Sequence, residues 1–459
     1  MSINRISSLL FLSIAVLTVA NALSHHVIFT HAAVASVVLF LILEFSRIPP
    51  THKKVGIILL VGGGIAAAVH GTFFETIYSG LQRTLPFLLL FASVAWLQVP
   101  SSQSPSLLAV REAVLRQPPG RRFASVVSAS HFLGVSFNLA GLALLTPMVR
   151  QGIEINLQRR LGRAMIQGFA AGTCWSPFYV GTAFILTAVP GVDWVAVGLP
   201  GLAIAVILMT WSWLFDRVFS RSAIVSTKTN HATEQSTLSH AAILRTFLIL
   251  ASLFAAVIAL VEGQDLSIPI ALSIVAPLFA LVWAFLIHHS GSRSGAGSSI
   301  TDMAKSVLAS YPGLRGEAML FSGANILGVA AASLIPKSLT DSWAGTISAY
   351  PNLTLFILIM CYGLASAAGI HPVVSVVLIT TIITPEMIGF PPEIIALAFM
   401  AIWGQGTNTS PFSATVLYMA RVTGADGWTI AWRWNGPFVA STMVLIYCII
   451  IALNALNIY

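Results

Sequence analysis

The chain has 459 residues, of which 57% are hydrophobic and only 8% charged, with a formal net charge of +8. A soluble domain carries about a quarter of its residues charged, so this balance excludes an ordinary soluble domain. It reads as an integral membrane protein whose basic excess belongs to cytoplasmic loops and not to a nucleic-acid surface. The three cysteines, Cys174, Cys361 and Cys448, all fall in apolar runs, which excludes a disulfide framework or a zinc spacing and reads as helix packing.

Residues 1–26 hold Arg5, an apolar run from Leu9 to Val19 and a small-residue stretch at 20–22, a pattern that suits an N-terminal helix or signal anchor as well as a cleaved signal peptide. A retained helix is the preferred reading. Apolar runs then predict membrane segments near 7–22, 27–45, 55–69, 84–98, 123–149, 164–190, 192–216, 243–262, 268–288, 316–335, 352–385, 393–420 and 434–457. The glycines of "VGGGIAAAV" at 61–69 predict close helix packing, because the lysine and strand context of a phosphate loop are missing. The polar stretch within 217–242 predicts a cytoplasmic linker that separates 27–216 from 243–459. A Gly/Ser-rich stretch from His288 to Asp302 predicts a loop.

Positive charge sets the topology. If every segment crossed once, Arg111, Arg116, Arg121 and Arg122 would face the opposite side from Arg150, Arg159, Arg160 and Arg163. Treating 123–149 as an inner re-entrant hairpin and 352–385 as an outer one removes the conflict. All Lys and Arg then face the cytoplasm except Arg83 and Lys337.

The two halves share a pattern. Gly172, Thr173, Ser176, Pro177 and Phe178 recur as Gly406, Thr407, Ser410, Pro411 and Phe412, and each copy follows a predicted hairpin ending in a Thr-Pro pair. Together these predict an all-α integral membrane protein of about 11 transmembrane helices plus two re-entrant hairpins, arranged as an inverted repeat. The shared motif falls inside the segments 164–190 and 393–420, which are therefore expected to be broken helices. Pro177 and Pro411 each remove a backbone donor. Thr173, Thr407, Asn408, Thr409 and Ser410 supply neutral oxygens and donors suited to Na⁺ and to an anionic group at half-helix termini.

This arrangement resembles the ion transporter superfamily, in particular its divalent anion:sodium symporter and citrate transporter-like branches. Those proteins carry a Ser-Asn-Thr signature at each hairpin tip, a proline eight or nine residues on, and then a broken helix. Here the first tip is Ser136-Phe137-Asn138 with Pro147 following, and the second lies between Ser366 and Ser375, with His371-Pro372 and no asparagine. The resemblance implies an elevator-type secondary transporter, a homodimer in the bacterial cytoplasmic membrane. It also implies a site for a small anion and its coupling ion formed by Ser136, Asn138, Thr173, Ser176, His371, Thr407, Asn408, Thr409 and Ser410, with a Na⁺ site near Asn138 and Asn408.

His371 stands in a segment with no Asp, Glu, Lys or Arg, where an ionisable side chain is a candidate for substrate or proton contact. His131 reads as packing first. Arg159, Arg160 and Arg163 read first as positive-inside anchors, and Glu75, Glu317, Glu386 and Glu393 fall near segment ends. Three function classes follow: an anion transporter coupled to Na⁺ or H⁺, a cation/proton antiporter or anion exporter of the same architecture, and a membrane-embedded enzyme. No catalytic spacing or cofactor motif is present, so the first is preferred and the chain is not expected to be an enzyme.

Overall fold

The computed structural model describes residues 3–219, 240–264, 266–289, 300–334 and 337–456. Among these residues the secondary structure is helical and no strand occurs, as a chain that must satisfy its backbone inside a bilayer requires. The first helices are α1 (Ile3–Ser24), α2 (Val27–Glu44), α3 (Pro50–Val69), α4 (Phe73–Gln103), α5 (Pro105–Leu115), α6 (Pro119–Phe137), α7 (Leu139–Leu144), α8 (Ile155–Ala171), α9 (Val180–Ala188) and α10 (Trp194–Phe219). The later ones are α11 (His240–Gln264), α12 (Ile268–His289), α13 (Ile300–Ser310), α14 (Arg315–Leu334), α15 (Lys337–Ala349), α16 (Pro351–Ala367), α17 (Pro372–Ile382), α18 (Pro385–Ile388), α19 (Pro392–Thr409), α20 (Ala414–Thr423) and α21 (Gly436–Ala455). The predicted linker 217–242 lies mostly outside the described residues, as does most of the predicted Gly/Ser-rich loop.

Nine stretches among the described residues are long and apolar enough to cross a membrane: α1, α2, α3, α4, α10, α11, α12, α13 with α14, and α21 with the turn before it. They correspond to nine of the thirteen predicted segments. The other four are the predicted hairpins and broken helices, and each of them is interrupted. A tenth span results if α15 and α16 are joined, but these meet at a bend of 102°.

The chain divides into two compact units, each drawing on both halves of the sequence. The first comprises 1–104, 249–343 and 377–383. There α1 and α2 form a helical hairpin turned at His25, whose φ is +56°, and close on Phe11, Phe40 and Tyr311. Glycines let α3 and α4 approach α14: a Cβ on Gly63 would lie 3.0 Å from the Leu327 backbone, and one on Gly80 would lie 2.6 Å from Ile326 Cα. Without a hydrophobic force between helices in lipid, such close backbone contact is what holds them. The glycines at 61–64 therefore serve packing, as the sequence predicts. Glu44 is fully buried and accepts hydrogen bonds from Ser7 and, at 2.8 Å, from Arg315.

The second unit comprises 105–248, 344–376 and 384–459, and contains both broken helices. Its core is α8, α10, α19 and α21, tied by buried polar links: Gln167 donates to Asn435 at 3.1 Å and accepts from Ser212 at 2.6 Å. Asn435 ends a π-helical stretch, Thr429–Asn435, which leads into α21. Helix α17 is shared out, its residues from Val377 on clustering with the first unit. Of the cysteines, Cys174 is buried as predicted, whereas Cys361 and Cys448 are exposed. The expectation that all three pack between helices is corrected there, because α16 and α21 each present an outward face.

Candidate functional site

The first predicted hairpin is tight. Helix α6 ends at Phe137, and the chain reverses at Asn138, which adopts φ +53° and accepts from Leu139 N at 2.9 Å. With ψ −135° Asn138 lies outside the left-handed helical region that asparagine favours, so the reversal is strained. The return arm α7 lies directly on α6: a Cβ on Gly141 would sit 2.1 Å from the Leu133 carbonyl oxygen. Ser176, in the first broken helix, donates to Val135 O at 2.8 Å, beside the tip residue Ser136.

That broken helix consists of α8, a tight turn at Gly172–Cys174, the segment through Pro177, and α9. Its second half is anchored back on the turn, since Thr182 donates to Thr173 O at 2.8 Å. The Glu154 carboxylate, exposed in the loop before α8, accepts from the N–H groups of Asn156 and Leu157 at 2.9 and 2.8 Å. These backbone donors hold its carboxyl below the usual range.

The second broken helix stops for the reason the sequence suggests. Pro411 offers no N–H and pushes the preceding residue out of helical geometry, and Ser410 is indeed extended, with φ −79° and ψ 116°. Ser413 restarts the helix by accepting from Val416 N at 3.2 Å, while donating to Thr407 O at 2.6 Å. The turn between α16 and α17 packs here: a Cβ on Gly369, which has φ +94°, would lie 2.8 Å from the Phe412 ring. Each tip therefore meets the break of its own half, Val135 with Ser176 and Gly369 with Phe412.

The first break also touches α19, the helix that leads into the second. Thr173 Oγ1 has two acceptors for its single proton, Ala170 O at 2.8 Å and Met400 O at 3.1 Å, and shares it between them. Gly404 makes the crossing sterically feasible, because a Cβ there would lie 2.3 Å from Ala170 O and 2.5 Å from Thr173 Oγ1. Pro177 and Pro411 are both buried.

The predicted site residues differ in what their polar atoms do. Thr173, Ser176, Thr407 and Thr409 are committed to main-chain carbonyls, Thr407 to Gly404 O at 2.7 Å and Thr409 to Gln405 O at 3.2 Å. His371 is half-buried, and its Nδ1 accepts from Val373 N at 3.3 Å, a local cap for α17. Three predicted residues are different: Ser136 Oγ, Asn408 Oδ1 and Ser410 Oγ are buried without a hydrogen-bond partner. A buried, unpaired polar atom is costly. The hydroxyls of Tyr362 and Ser366 share this condition. Ser366 lies at the edge of the predicted second tip, whereas Tyr362 sits in an unbroken apolar run that gives no sequence signal of its buried hydroxyl.

Neighbouring charged and aromatic groups are occupied. His131 is fully buried, with Nδ1 3.3 Å from Gly168 O and Nε2 accepting from Trp175 Nε1 at 3.2 Å. A carbonyl only accepts and an indole N–H only donates, so the ring is neutral with its proton on Nδ1. Arg160 pairs with buried Asp216 at 2.7 Å, and Arg163 lies over the Phe215 ring at 5.7 Å. These two arginines turn inward, while Arg159 is exposed and donates to Arg433 O.

No family model matches the chain, and no curated protein matches it. Among solved structures, the fold is similar to the crystal structure of the Alcanivorax borkumensis YdaH transporter, described as having an unusual topology. The TM-score is 0.51 at 14% identity, and the match covers 87% of this chain and 97% of that one.

Proposed function

We propose that the chain is a secondary active transporter of the ion transporter superfamily type, moving a small anion across the bacterial cytoplasmic membrane. Its substrate is an organic anion of di- or tricarboxylate type, or an inorganic one, coupled to Na⁺ or H⁺. The observation that carries this reading is the buried, unpartnered set Ser136, Asn408 and Ser410 at the tip and break of two crossing broken helices. In a chain with 8% charged residues, uncommitted polar atoms beside broken backbone suit a ligand that completes their hydrogen bonds. The similarity of fold to a transporter supports the same reading.

Elevator movement of one compact unit in a homodimer, an inverted-repeat ancestry and a Na⁺ site near Asn138 and Asn408 complete the proposal. The gathering of both broken helices into one unit supports it. An antiporter would draw on a carboxylate at the breaks, and Glu393, in the first turn of α19, is more than 15 residues from Ser410 along a helix that rises about 1.5 Å per residue. The test is uptake of labelled succinate, citrate or sulfate into proteoliposomes under a Na⁺ or a proton gradient. Saturable, gradient-driven uptake of one of them supports the proposal, and cation exchange without anion uptake overturns it in favour of an antiporter.

A further inference from the structure

Tyr362 stands well inside α16, is 1% exposed, and carries a hydroxyl whose one polar neighbour is the hydroxyl of Ser366. One turn on, Ser366 is fully buried in the same condition. A helical serine can donate to the carbonyl three or four residues earlier, and Ser366, like Ser136, Thr246 and Ser322, does not. Ser7, Ser8, Thr18, Ser93 and Thr442 of this chain all take that local bond. Ser366 forgoes it, so its hydroxyl is aimed elsewhere.

Both hydroxyls converge on the last turn of α19. A Cβ on Gly406 would lie 2.7 Å from Ser366 Oγ and 3.0 Å from Tyr362 Oη. At most one of the two O–H groups can donate to the other, which leaves at least one buried donor without an acceptor. Within four residues of Gly406, Asn408 Oδ1 and Ser410 Oγ are also buried and unpartnered, while Thr407 and Thr409 between them bond to carbonyls. No Lys, Arg, Asp or Glu occurs from Pro351 to Pro385, so recognition at this place relies on neutral groups. A phenol is the better donor of the two hydroxyl types and a weak ligand for a metal cation, since its lone pair is shared with the ring.

We propose that Tyr362 is a ligand-contacting residue: its hydroxyl, together with that of Ser366, donates to a carboxylate or other oxyanion oxygen of the transported molecule. This inference rests on the transport reading above and adds to it a residue and a polarity, with the ligand's acceptor facing α16.

The experiment compares the wild type with Tyr362→Phe and Ser366→Ala, by melting of purified protein without ligand and by proteoliposome uptake of succinate, citrate and sulfate. Removing one of two buried hydroxyls that have only each other as neighbours leaves fewer unsatisfied donors, so ligand-free melting is expected to be unchanged or raised. For the anion that the wild type transports, apparent KM is expected to rise about 10-fold or more in Tyr362→Phe, with a smaller change in kcat. A carboxylate and an inorganic oxyanion are told apart by which of the three is affected. Lower ligand-free melting with unchanged KM means that the hydroxyl bonds within the protein or to a structural water, and overturns the inference. Wild-type kinetics in both variants overturn it as well, leaving the transport reading intact. Absence of wild-type uptake for all three anions under either gradient removes the transport reading and this inference together.

Discussion

Thr173 Oγ1, in the turn that interrupts the first broken helix, donates to the main-chain carbonyl of Met400 at 3.1 Å, joining positions 227 residues apart. This bond fastens the break of one half of the sequence to the helix that leads into the break of the other. Replacing Thr173 by valine keeps the shape and deletes the donor. A loss of about 1 kcal/mol in stability is expected, with Thr173→Ser retaining most of it, and thermal unfolding of the two variants measures the difference.

Gly404 is expected to be the least tolerant position at the same crossing. An alanine Cβ there would stand 2.3 Å from Ala170 O, a backbone atom that cannot step aside. Overpacking of this kind costs typically about 1–3 kcal/mol. Gly120→Ala, which meets nothing within 4 Å, is the control. Equal melting temperatures for the two variants would show that the helices separate at no cost.

His131 bridges Gly168 O and Trp175 Nε1 as a neutral ring, the arrangement of a residue that positions the hairpin. His131→Phe leaves the indole N–H without its acceptor, so stability is expected to fall by about 1–3 kcal/mol. The pH profile of uptake in the surviving folded protein is expected to match the wild type. A profile displaced in that variant would assign His131 a proton instead.

In the first compact unit, Glu44 holds Ser7 and Arg315 together from a fully buried position. Glu44→Gln removes the charge that Arg315 faces. A partly buried arginine with a neutral partner is expected to lower stability by about 1–3 kcal/mol. The affinity for transported anion is expected to remain that of the wild type. Ligand-induced melting shifts, compared between variant and wild type, separate the two effects.

Much of this arrangement is legible in the sequence because proline acts locally. Pro411 alone is enough to locate the stop at Ser410, and the repeated Gly-Thr-x-x-Ser-Pro-Phe pattern marks both breaks before any packing is known. Apolar length identifies the nine uninterrupted spans for a similarly direct reason, since the bilayer fixes how long a crossing helix must be. What the sequence withholds is which polar atoms are already spoken for. Thr407 and Ser410 look equivalent on paper, yet the Thr407 hydroxyl is absorbed by Gly404 O and the Ser410 hydroxyl is not. Tyr362 is hidden more completely, because an aromatic residue in an apolar helix reads as packing until the atoms around its hydroxyl are known. His371 stands out in the sequence, isolated among apolar residues, but only the structure discloses that its Nδ1 caps the helix that begins beside it.

The measurement that bears most directly on the central claim pairs ligand-free melting with anion uptake for Asn408→Ala and Ser410→Ala. If their unpartnered atoms wait for a ligand, both variants insert, Ser410→Ala melts at or above the wild-type temperature, and saturable uptake is lost from each. A folded variant that takes up the anion with wild-type kinetics would contradict the account.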